Sequence, residues 1–168
     1  PETASVAELP VVAEPPGRSS WIGYLCGGTS WVTSTIVLAF LPITVADRFG
    51  SESLLVNSAV ILVFAGAAAG QFLLYSAEHL RRTTALAMTF MAGGLGMLVA
   101  GVLTGSLALD LAASAVVGLG QGAGYRLGLR VVTRGAPPIR QGALAARYAW
   151  LSYGSTAITV GVVGLVSG

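Results

Sequence analysis

Residues 118–126 read GLGQGAGYR, four glycines at alternate positions ahead of an arginine. That outline resembles a phosphate-cradling loop, but the spacing excludes one. A dinucleotide fingerprint places G-x-G-x-x-G between a strand and a helix. Counted from Gly118 the third glycine falls on Ala123, and counted from Gly120 it falls on Tyr125. A Walker loop needs a lysine, and the chain has none. The stretch also lies inside a long apolar run with no turn-forming break on either side. A different spacing fits: Gly118 and Gly122, Gly120 and Gly124, and Gly124 and Gly128 are each four apart. On a helix this lays small residues on adjoining stripes, where the backbone of a neighbouring membrane helix comes close. These five glycines therefore read as helix-packing positions, and the nature of the surrounding solvent decides the fold.

Composition identifies that solvent. Of 168 residues, 54% are hydrophobic and only 10% charged, and the mean hydropathy is +0.78. An ordinary soluble domain carries about 25% charged residues, so this chain has too little charge to solvate a surface in water. The net charge of +2 does not point to nucleic acid. All nine basic residues are arginines, and most stand at the ends of apolar runs, where they set membrane topology. The single cysteine, Cys26, lies within an apolar run and reads as a small buried hydrophobe.

Five such runs follow one another, at about 21–46, 54–77, 83–103, 107–132 and 141–166. At ~1.5 Å per residue each is long enough for a ~30 Å hydrocarbon core. Backbone groups in lipid must pair internally, so the runs predict helices. The fold class is an all-α, polytopic transmembrane bundle of five spans over 21–168. Residues 1–20, rich in Pro, Ala and Glu, read as a linker and not as a signal peptide. Alternate connections put Arg18, Arg81, Arg82, Arg134 and Arg140 on one side, with Arg126, Arg130 and Arg147 nearby; the other side holds only Arg48. The positive-inside rule makes the richer side, linker and basic loops included, cytoplasmic in a multi-pass protein of the plasma membrane. An odd number of spans, and a first residue other than Met, lead to the expectation that an upstream portion and a final helix belong to the whole protein.

Ionisable groups inside a span mark function by default. Asp110, about a turn from the outer end of its run, reads as interfacial, and Arg126 and Arg130 as snorkelling. Arg147 lies about two turns into the fifth run. Polar and aromatic groups nearer mid-depth are more informative: Trp31 and Ser34 in the first run, Gln121 in the fourth, Tyr148 and Ser152 in the fifth, with Gln71 near the end of the second. Such a mixture is the expected lining of a pocket for a moderately apolar organic solute. The third run, 83–103, has little polarity and reads as lipid-facing, with Gly93, Gly94, Gly96 and Gly101 as a less regular packing surface. No enzyme chemistry is expected. His79, the one histidine, falls in a loop, no cluster of metal-ligand type is present, and no cofactor is implied.

The stretch 116–154 carries the most specific pattern in the chain. Ala136, Pro137, Pro138, Arg140 and Gly142 match a cytoplasmic A-P-P-x-R-x-G loop between two helices. The layout with this loop resembles the C-terminal half of a bacterial major facilitator superfamily transporter, the five runs taking the places of helices seven to eleven, with the last helix missing. Arg81 and Arg82 stand where that family carries a G-x-x-x-D-R-x-G-R-R loop; the Asp-Arg and second glycine are absent. The resemblance implies a secondary transporter working by alternating access, ion-coupled, with a small-molecule substrate, the lipid bilayer and an N-terminal half as partners. It implies a cavity lined by the first, second, fourth and fifth helices, and gives Arg81, Arg82, Arg140 and Arg147 topological or gating roles. The alternative is a non-transporting membrane scaffold, in which the polar groups would be glue between helices.

Overall fold

The computed structural model describes residues 18–50, 54–73 and 80–167. They form five helices: α1 (Arg18–Phe49), α2 (Leu54–Leu73), α3 (Leu80–Thr104), α4 (Leu107–Thr133) and α5 (Pro138–Ser167). No strand occurs among the described residues. Residues 1–17 of the expected linker, the 74–77 end of the second run and the His79 loop lie outside the described residues; 18–20 open α1 instead.

Four helices, α1 to α4, are long and apolar enough to cross a membrane. The expectation of five spans therefore holds for four. At 30 residues α5 has the length, but Tyr148, Ser152, Tyr153, Ser155 and Thr156 dilute its apolar character. Large apolar side chains cover the outside, among them Ile61, Phe72, Leu103 and Leu165. Water would penalise such a surface and lipid would not.

The bundle is organised around α4. Of its apolar stretch 56% is buried, against 28–33% for α1, α2 and α3. It packs on α3, α2 and α1, while α5 rests mainly on α1 and touches neither α2 nor α3 among the described residues. The glycines explain how α4 accepts so many neighbours. Alternate helix positions fall about 200° apart, so one run of alternating glycines makes two opposed stripes. Gly118 and Gly122 lie against the Val63 and Ala67 carbonyls of α2, and Gly66 and Gly70 of α2 lie against the Ala115 and Leu119 carbonyls in return. On the other side Gly120 meets Ala87 and Met91 of α3, and Gly124 meets Ser30 of α1. Nearer the arginine-rich end, Gly128 and Gly23 close on each other's carbonyls. Within α3, Gly94 and Gly101 pack on α4, whereas Gly93 and Gly96 meet nothing. The lipid-facing reading of this helix thus holds for only part of its surface.

Chain reversal between α3 and α4 takes two residues. Gly105, at φ +70, supplies the left-handed backbone that ends α3. The Ser106 N–H then bonds the Gly101 carbonyl at 3.0 Å, and its hydroxyl caps α4 by accepting from Leu109 N at 3.4 Å. This tight turn brings Asp110 against Gly101. Near it, Val37, Leu41, Val63, Leu98, Ala113 and Val117 form the main apolar core. A second, aromatic cluster at the arginine-rich end centres on Tyr24 and Tyr148.

Candidate functional site

Aromatic side chains from α1, α4 and α5 converge. Trp31 packs edge-on to Tyr125 at 6.0 Å between ring centroids and to Tyr153 at 4.8 Å. Tyr125 in turn stacks obliquely on Tyr148 at 5.1 Å, and Tyr148 on Tyr24 at 6.1 Å. The series steps from a fully buried ring, Tyr148, to a half-exposed one, Tyr153. Glycine again permits the approach: at Gly27 of α1 a Cβ would lie 2.5 Å from Ser152 Oγ and 2.6 Å from the Tyr148 ring.

Hydrogen bonding separates framework from surface here. The Tyr148 hydroxyl donates to the Tyr125 carbonyl at 2.6 Å, so this side chain locks α5 to α4. Ser30 donates back to the Cys26 carbonyl at 2.6 Å. Trp31 Nε1, Ser34 Oγ and Ser152 Oγ differ: they are buried and have no partner. Ser152 lies against Gly27, one turn before Trp31 on α1, so the Trp31 and Ser152 groups share one seam; Ser34 is seven positions beyond Gly27, about 11 Å along the helix. Buried polar groups in folded proteins are nearly always paired, and each exception calls for an explanation.

Beyond Trp31, away from the arginine-rich end, a groove of about 180 Å³ opens between α1 and α5, lined by Thr35, Ala39 and Phe40 with Thr159, Val160 and Val163. Both threonine hydroxyls are engaged within their own helices, Thr35 on the Trp31 carbonyl at 2.8 Å and Thr159 on the Ser155 carbonyl at 2.8 Å. The groove is therefore apolar in character.

Of the residues expected to line a cavity, Trp31, Tyr148 and Ser152 lie along this seam, and Ser34 is buried further along α1. Gln121, mostly buried, stands one turn before Tyr125 on the same stripe of α4. Gln71 is elsewhere: its side chain is exposed near the end of α2, and its backbone carbonyl accepts from Arg126. Arg82 and Arg140 are exposed, and the side chain of Arg81 lies outside the described residues. The guanidinium of Arg147 sits 5.9 Å from the centre of the Tyr24 ring, a cation–π contact.

Sequence reasoning passed over Tyr125, the ring that joins Trp31 to Tyr148. Its position four residues after Gln121 was the available signal. The Arg48–Asp110 ion pair was also missed: Arg48 Nη1 lies 3.4 Å from Asp110 Oδ2, and Nη2 donates to the Val102 carbonyl at 2.9 Å. Asp110, in the first turn of α4, is buried within the bundle, and its Oδ1 has no partner. Only the fold brings these residues together, across 62 positions of sequence.

No family model, curated protein or solved structure matches the chain.

Proposed function

We infer that this bundle is one half of a secondary transporter of the cytoplasmic membrane, moving a small organic solute by alternating access under an ion gradient. The observation that carries the reading is the seam itself. Two buried polar groups, Trp31 Nε1 and Ser152 Oγ, have no protein partner and adjoin a graded aromatic surface. In a static scaffold such groups would be expected to bond across helices. Left unpaired, they suit a ligand that comes and goes. The open side of Trp31 and Tyr153 is where a complementary half completes the wall.

The test is proton-driven flux of a panel of small organic solutes into liposomes by the chain assembled with that half. The expected result is saturable flux, reduced at least tenfold by Trp31→Ala together with Ser152→Ala. Absence of flux across the panel sinks the reading. A second measurement addresses the scaffold alternative. Single cysteines at Ser34, Gln121 and Ser152, in a Cys26→Ala background, are expected to react with a water-soluble thiol reagent; uniform protection favours the scaffold.

A further inference from the structure

Building on the reading of the α1–α5 seam as a solute path, we propose that it takes an uncharged amphiphile, its hydrogen-bond acceptor on the Trp31 indole N–H and a short apolar arm in the groove between α1 and α5. The indole nitrogen is a donor only and is buried without a partner. What it lacks is an acceptor. The hydroxyl of Ser152, beside Gly27 one turn from Trp31 and equally unpartnered, donates or accepts as the ligand's polar group requires. Tyr125 and Tyr153, edge-on to the indole, form the apolar walls beside that polar group.

Size and charge narrow the class further. The groove begins one turn from Trp31, at Thr35, and its threonine hydroxyls are already engaged. It offers a ligand no hydrogen bond from them. At about 180 Å³ it is smaller than the ~300–1,000 Å³ of sites that enclose a whole drug-sized molecule. It therefore holds one arm, and the head stays at the orphaned groups. No residue of the seam or groove is charged. The arginines next in sequence to Tyr148 and Tyr125 are engaged elsewhere, Arg147 with the Tyr24 ring and Arg126 with the Gln71 carbonyl. A ligand charge would be stripped of water here without a counter-charge, which is strongly unfavourable.

The experiment measures saturable binding of tritiated decanamide to the full chain in nanodiscs, corrected for partition into empty nanodiscs. Decanoate and decylammonium, with equal chains and opposite charges, are compared with it. The expected result is saturable decanamide binding, with both ions at least tenfold weaker. Trp31→Phe, which removes the donor and keeps a ring, and Gly164→Leu, which fills the groove, are each expected to weaken binding at least fivefold. A Cβ at Gly164 meets nothing within 4 Å, so the second side chain starts into open space, and an unchanged melting temperature in detergent checks that the fold is kept. Binding that follows mole fraction in the bilayer marks a lipid-borne ligand; binding that follows aqueous concentration marks a water-borne one. Equal affinity for the three probes, no saturable binding, or wild-type affinity in both variants overturns the proposal. Discriminating binding without flux in the assembled transporter would leave the site standing and remove the transport reading instead.

Discussion

At the scale of single residues, the Arg48–Asp110 pair shows how burial gives direction to a mutational effect. Arg48 has a side chain 29% exposed, whereas that of Asp110 is 1% exposed. The carboxylate fits because residue 101 is glycine: a Cβ there would run into Asp110 Oδ1. Removing the arginine strands a buried carboxylate, and breaking a buried pair in this way costs about 3–5 kcal/mol. Since Arg48 reaches the surface, the lower end of that range applies to Arg48→Ala, about 3 kcal/mol. Asp110→Asn keeps the shape and leaves the guanidinium where solvent reaches it, so its loss is expected to be smaller. Reversible unfolding in detergent, compared for the two variants and their double, checks this. A larger loss for Asp110→Asn than for Arg48→Ala contradicts it. Neither residue signals its partner in sequence, because an ion pair between distant segments leaves no local periodicity.

At the scale of helices, glycine spacing was legible and glycine direction was not. The four-residue intervals of 118–128 announce close approach, but they do not say which neighbour approaches. Gly93 and Gly96 look like Gly94 and Gly101 in sequence, yet the first two meet open space and the others meet α4. The difference lies in how α3 is rotated, which is set by the helices around it. Alanine substitution separates the two classes by sign. At Gly122 the new methyl group would meet the Ala67 carbonyl, and such overpacking costs about 1–3 kcal/mol. That exceeds or matches the gain of about 1 kcal/mol from replacing glycine within a helix. At Gly96 only the gain applies. Gly122→Ala is therefore expected to lower the melting temperature in detergent and Gly96→Ala to hold or raise it. Equal shifts at both positions would mean that the α2–α4 contact is not close packed.

For the whole molecule, composition fixed the all-helical class, because so little charge leaves lipid as the workable solvent and helices as the simplest way to pair the backbone within it. The aromatic seam was only half legible: Trp31, Tyr148 and Ser152 stood out as polar groups in apolar runs, whereas Tyr125 became visible through its contacts. The place of α5 depends on those contacts too. It runs parallel to α1, with Ser152 beside Gly27 and Ser155 beside Gly28, and further on Thr159 and Val163 join Thr35 and Phe40 in lining the groove. A helix that follows a spanning neighbour in this way is expected to cross with it, Tyr148, Ser152 and Ser155 being turned inward where hydropathy counts them against a span. With α5 crossing, eight of nine arginines stand toward one side of the sequence's topology, and the positive-inside rule leads to the expectation that this side is cytoplasmic. Single cysteines in a Cys26→Ala background test both statements. A membrane-impermeant maleimide applied to intact cells is expected to label Thr104→Cys, at the C-terminal end of α3, and Leu165→Cys, near the far end of α5. Pro137→Cys, in the α4–α5 turn, is expected to react only after the membrane is opened. Labelling of Pro137→Cys alone reverses the orientation, and protection of Leu165→Cys together with Pro137→Cys means that α5 does not reach the outer face.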